Sequence, residues 1–165
     1  MRVIVYTIVG IYTLIFFILL IGLLLPKDRT VTKQSILKAT PEEVYAIVTN
    51  NEEWNYRINL HDVKMINYID SMGTWEGISK RGNIIRFKAK EKTPCSFYSF
   101  EMESSYFTGY WENEFQEMEY GKTLFTLTKQ VKFKNPITRT LSYLFFDLDK
   151  SAETYQLDLM EKLER

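Results

Sequence analysis

Residues 3–25 contain no charged side chain: VIVYTIVGIYTLIFFILLIGLLL. Thr7, Thr13, Tyr6 and Tyr12 are the only polar side chains in the run. As a helix it reaches about 34 Å at 1.5 Å per residue, enough to cross a hydrocarbon core of about 30 Å. A core helix of a soluble domain would show a polar stripe, and this run is apolar all round. A cleaved signal peptide has a shorter apolar stretch followed by a small-residue cleavage site. Here Leu23-Leu24-Leu25-Pro26-Lys27-Asp28 follows instead. Residues 1–26 therefore predict an uncleaved transmembrane anchor. Arg2 and the terminal amine lie on its short side, and Lys27, Arg29, Lys33 and Lys38 on the long side. Positive-inside counting places the rest of the chain in the cytoplasm, as a single-pass membrane protein.

Residues 27–165 form the second unit, a full-sized domain able to bury a substantial core. The whole chain has 21 Lys+Arg against 21 Asp+Glu, and Arg2 alone of these precedes the division. Such a balance argues against a nucleic-acid partner, which calls for a basic excess. One cysteine, Cys95, excludes an internal disulfide framework and any multi-cysteine metal site; one histidine, His61, removes most zinc and His-based arrangements. Aromatic residues are abundant, with 11 Phe, 11 Tyr and 3 Trp.

The domain reads as a strand over 31–38 followed by a short helix. Thr40-Pro41-Glu42-Glu43 announces that helix with an N-cap, a proline at the first helical position and a capping-box glutamate. Val44, Tyr45, Ile47 and Val48 supply its apolar side, and a second short helix is expected around 52–57. Strands follow at 63–68 and 74–79, broken by the Asp70-Ser71-Met72-Gly73 turn. Four longer strands, 83–91, 97–103, 107–118 and 123–134, complete an antiparallel meander. Alternation gives one aromatic face: Ile85, Phe87 and Ala89, then Tyr98, Phe100 and Met102, then Phe107, Gly109, Trp111 and Phe115, then Phe125, Leu127, Val131 and Phe133. The opposite face is charged, with Arg86, Lys88 and Lys90 beside Glu101 and Glu103, then Glu112 and Glu114, then Lys132. Basic beside acidic beside basic reads as cross-strand pairing on a solvated face.

After Asn135-Pro136, the residues Leu141, Leu144, Phe145, Leu148, Ala152, Tyr155, Leu159 and Leu163 recur at three- and four-residue steps. This predicts one amphipathic helix over 137–163, near 40 Å long, as the cover of the aromatic sheet face.

Several short segments in this order resemble the START-like, helix-grip superfamily of polyketide cyclases/dehydrases and lipid-transport proteins (the SRPBCC group). They are Ala39-Thr40-Pro41-Glu42-Glu43-Val44-Tyr45, Trp54, Trp75-Glu76-Gly77 with Gly82, Pro94, and Phe146-Asp147-Leu148-Asp149-Lys150. The resemblance covers about residues 31–163, and order and spacing carry it rather than any one motif. Where the family has a glycine near the middle of the long helix, this chain has Ser151-Ala152-Glu153. The resemblance implies an α+β fold, with a curved antiparallel β-sheet wrapped around a long C-terminal helix, here preceded by one transmembrane helix. It also implies a cavity between sheet and helix that accepts a hydrophobic small molecule or lipid.

Strand parity and the helix stripe give the expected lining: Tyr98, Phe100, Trp111, Phe125, Leu127, Phe145, Leu148, Ala152 and Tyr155. Asn113 and Lys129 share the inward parity, placing polar groups among aromatics unless a bulge turns them outward, which is the simpler expectation. No catalytic set stands out. His61-Asp62 are strand neighbours pointing to opposite faces, and Cys95 has no nearby histidine to activate it. No phosphate loop, nucleophile elbow, metal-ligand cluster or cofactor signature is present. The leading reading is a membrane-anchored module that binds a hydrophobic, lipid-like ligand. The alternatives are a cyclase- or dehydratase-type enzyme using Asn113, Lys129 or a cavity tyrosine, and a closed-core structural or interaction module.

Overall fold

The structure is a computed structural model describing residues 2–69 and 72–165. The apolar run is one helix, α1 (Arg2–Leu24), exposed along nearly its whole length. Strand β1 (Asp28–Leu37) follows within a few residues. Helix α2 (Pro41–Thr49) begins at the expected capping box: Glu43 N donates to Thr40 Oγ1 at 3.4 Å, and Thr40 N donates to Glu43 Oε2 at 2.9 Å. A single 3-10 turn, Trp54–Tyr56, stands where a second short helix was expected. Six strands then run in sequence: β2 (Leu60–Ile69), β3 (Met72–Ser79), β4 (Ile84–Thr93), β5 (Phe97–Glu103), β6 (Phe107–Met118) and β7 (Lys122–Phe133). The turn expected at Asp70-Ser71 falls outside the described residues.

All seven strands form one antiparallel sheet in the order β1-β7-β6-β5-β4-β3-β2. The meander is thus in sequence order, and β1 closes it by pairing with the last strand. Its inner face follows from side-chain alternation: Trp75, Phe87, Tyr98, Phe100, Trp111, Phe115, Phe125 and Leu127 are all buried. Their rings form a connected chain. Trp75 stacks on Phe87 at 5.5 Å, Phe100 meets both, Trp111 meets Phe100 at 5.5 Å, and Tyr155 meets Trp111 edge-on at 4.9 Å. Such pairs contribute roughly 0.5–1.5 kcal/mol each beyond the area they bury. The outer face carries the ion pairs Lys90–Glu101 at 3.1 Å, Arg86–Glu76 at 2.9 Å and Lys134–Glu103 at 3.1 Å. Within the basic 80–92 run, Arg86 and Lys90 are thus matched by carboxylates on the neighbouring strands. In β4 a register shift between Ala89 and Glu91 pairs Lys92 with Tyr98, so the rim lysine turns toward the inner face.

The C-terminal region corrects the expectation of one long helix. It is two helices, α3 (Pro136–Phe145) and α4 (Leu148–Leu163). Phe146 and Asp147 are extended, and the Asp147 carboxylate accepts the Lys150 N–H at 2.9 Å as the N-cap of α4. The spacing of Leu144, Phe145 and Leu148 runs across this break without a phase change, so periodicity alone does not register it. Helix α4 packs along the sheet, burying Leu148, Ala152, Tyr155, Gln156 and Leu159. Helix α3 turns away and packs against the end of α1.

Candidate functional site

The sheet brings Asn113 and Lys129 inward. The β6–β7 pairing is unbroken from Phe107↔Phe133 to Met118↔Lys122, and β1 pairs with β7 without a shift. No bulge rescues either residue from the core, which corrects the simpler sequence expectation. Asn113 is fully buried and satisfied: its Oδ1 accepts the Trp111 indole N–H at 3.0 Å, and its Nδ2 donates to the Tyr98 carbonyl at 3.2 Å. It locks the Trp111 ring in place.

Lys129 is 8% exposed. Its ammonium donates to Ser151 Oγ at 3.0 Å, at the first turn of α4. It also sits 4.7 Å from the centroid of Trp111 and 5.8 Å from that of Phe146. A second cation shares this aromatic surface. Arg57, just after the 3-10 turn, places its guanidinium carbon 5.0 Å from the Tyr155 centroid and 5.9 Å from that of Trp111. Among the described residues no carboxylate oxygen lies within 4.0 Å of either cation. Burial, and then the positive charge of Arg57, lower the Lys129 ammonium to about 8. The group is charged at neutral pH and can release a proton just above it.

Hydroxyls complete the setting. Burial raises both Tyr155 and Tyr56, which also act on each other. Asn51 Nδ2 donates to the Tyr98 hydroxyl at 3.4 Å. The Asp158 carboxylate accepts the Ile58 N–H at 2.9 Å, fastening the segment that carries Arg57 to α4; burial raises its carboxyl above the usual range.

Of the eleven residues expected at the site, ten meet between the sheet and α4: Tyr98, Phe100, Trp111, Asn113, Phe125, Leu127, Lys129, Leu148, Ala152 and Tyr155. Phe145 does not. It is 81% exposed on α3, on the far side of the helix break. Arg57, Tyr56, Ser151 and Phe146 join the site without having been expected there. Arg57 and Tyr56 come from a turn with no periodic pattern, and Ser151 and Phe146 fall off the helical stripe. The space between sheet and α4 is filled by side chains, with Phe125, Leu127 and Ala152 fully buried. Two surface concavities lie elsewhere: one of about 400 Å³ on the outer sheet face between Thr30, Tyr110 and Gln130, and one of about 230 Å³ beside Lys27, Lys132 and Arg139. His61 is exposed, and Cys95 occupies a left-handed turn at φ 57°. Among the described residues no three His, Cys, Asp or Glu side chains gather as a metal site.

No protein-family model matches the sequence, and no curated protein matches it. Solved structures do match in shape. The ZhuI aromatase/cyclase from Streptomyces sp. R1128 superposes with a TM-score of 0.73 at 10% identity, covering 84% of this chain and 94% of that one. A START superfamily protein from Mycobacterium smegmatis gives 0.66 at 12% identity, covering 82% and 97%. Norcoclaurine synthase from Thalictrum flavum gives 0.62 at 6% identity, covering 84% and 87%. At these identities the likeness is one of fold. The chain has the START-like helix-grip fold, α+β, with one N-terminal helix long and apolar enough to cross a membrane.

Proposed function

We propose that this protein is a membrane-anchored binding module for a hydrophobic, lipid-like molecule with an acidic head. The observation that carries this is buried Lys129, with no carboxylate oxygen within 4.0 Å, sharing one aromatic surface with the half-buried Arg57, whose charge also acts on Asp158. Buried cations are normally paired, because an unpaired one is costly to desolvate. A closed structural core gains nothing from such a group, whereas a carboxylate or phosphate would find two donors there and an apolar wall for its tail. Entry requires α4 and the 54–57 segment to separate, since their side chains now fill the space. The structural neighbours include aromatase/cyclase and START superfamily proteins, which is consistent with an apolar ligand between sheet and helix. In this reading helix α1 is the single-pass anchor, and the basic residues that follow it favour the cytoplasmic side for the domain.

A closed core is the competing reading, favoured by the full burial of Phe125, Leu127 and Ala152. Native mass spectrometry of the full chain, released from detergent micelles, separates the two. The chain is offered a long-chain fatty acid or its methyl ester at equal concentration. The acid is expected to stay bound in preference to the ester, and Lys129→Met to abolish that preference. Equal retention of ester and acid refutes recognition of the head; no adduct with either establishes the closed core.

A further inference from the structure

Helix α3 sorts its residues the wrong way for a water-facing helix. Its buried positions are Arg139, Thr140 and Ser142, all polar. Ile137, Leu141, Leu144 and Phe145 are exposed, Leu144 at 67% and Phe145 at 81%. Scattered exposed apolar residues need no explanation, but these four share one face of a helix that packs against the apolar helix α1.

The polar side of α3 is committed to holding α1. Arg139 Nη1 donates to the Gly22 carbonyl at 2.7 Å and the Leu25 carbonyl at 3.4 Å, oxygens at the end of α1 that lack helical partners. Thr140 Oγ1 donates to the Ile18 carbonyl at 2.8 Å. The backbones nearly touch: a Cβ at Gly22 would lie 2.1 Å from the Pro136 carbonyl oxygen. From β1, Arg29 Nη1 caps α3 in turn, donating to the Ser142 and Phe146 carbonyls at 3.2 and 3.1 Å. Anchor, α3 and sheet are thus joined by successive arginine caps rather than by a loose tether.

These contacts set the depth of α3. Ile18 and Leu25 are seven residues apart, so α3 lies beside about the last 10 Å of the apolar helix. We propose that α3 is an interfacial membrane helix, with Ile137, Leu141, Leu144 and Phe145 buried at the acyl-chain boundary of the bilayer that α1 crosses. The occupant of this face is lipid, because α3 is hydrogen-bonded alongside the last turns of the apolar helix α1 and the residues at its margins suit a headgroup layer. Arg29 stacks on Tyr143 at 4.5 Å, an amphipathic pair suited to that depth. Lys27 and Lys132 line the neighbouring concavity, where anionic headgroups would gather. The consequence is a fixed pose: the binding domain is held against the membrane in one orientation. This inference rests on reading α1 as the anchor.

The test uses the full chain in phosphatidylcholine/phosphatidylglycerol vesicles. Leu144→Cys, Phe145→Cys and, on α4, the exposed Leu157→Cys are each made in a Cys95→Ser background and labelled with an environment-sensitive fluorophore. At 144 and 145 the emission is expected to shift to the blue, to be quenched by spin-labelled lipid and to resist aqueous iodide; at 157 the reverse is expected. Protein that resists carbonate extraction but shows water-like labels at 144 and 145 overturns the interfacial helix and leaves the anchor standing. Protein released by carbonate overturns both.

Discussion

Replacing Lys129 with methionine keeps an unbranched apolar stem and removes the buried cation. The lysine is 8% exposed, and its ammonium is lowered from 10.5 to about 8, by burial first and by Arg57 second. At 1.36 kcal/mol per pH unit, that difference penalises the charged folded form by about 3 kcal/mol. The sign follows from proton counts. The folded value lies below the unfolded one, so between pH 8 and 10.5 the unfolded chain holds more protons, and stability rises with pH across that window. Below pH 8 both states are protonated and the full penalty applies; by pH 9.5 it has shrunk by about half or more. Methionine escapes the penalty but loses the hydrogen bond to Ser151 and the contact with Trp111, roughly 1 kcal/mol between them after solvent exchange. Lys129→Met should therefore stabilise the full chain by about 1–2 kcal/mol at pH 7, or roughly 2–8 °C in Tm. The gain should vanish by pH 10. Tyr56 and Tyr155 are raised by burial and stay out of that range. Thermal melting of both proteins in one detergent, followed by tryptophan fluorescence from pH 7 to 10, measures the difference directly. A variant less stable than the parent at pH 7, or a difference that does not change with pH, would refute the uncompensated charge and with it the argument for an acidic ligand.

Ala152 is fully buried against the sheet, so Ala152→Trp should overpack the interface and lower stability by roughly 1–3 kcal/mol or more, whereas Glu153→Lys on the exposed side should change the Tm little. If Ala152→Trp instead melts like the parent, the α4–sheet interface has room that its burial does not suggest. Gly109→Ala should be more damaging, because the added methyl would lie 2.2 Å from the Gln130 carbonyl on the paired strand. Its expected outcome is loss of the cooperative melt, and a normal transition would show that β6 and β7 can separate locally.

What the sequence alone determined was set by short-range chemistry and strict periods. An uncharged run of this length reads as one apolar helix, and α1 spans Arg2–Leu24. The Thr40–Glu43 capping box placed the start of α2, and strand alternation identified the buried aromatic face down to single residues, because a pleated strand has a period of two. Parity also pointed to Asn113 and Lys129. Local energetics argued for turning them outward, and only the unbroken β6–β7 register kept them in. Tertiary structure decided the rest. The stripe from Leu141 to Leu163 hides a change of partner at Phe146–Asp147: Leu148 onward meets the sheet, while Leu144 and Phe145 are left exposed beside α1. A hydrophobic period records that a side chain leaves water, not which surface receives it. Arg57 likewise has no pattern to betray it, since its role depends on Trp111 and Tyr155, brought to it from distant strand and helix by the closing of the sheet.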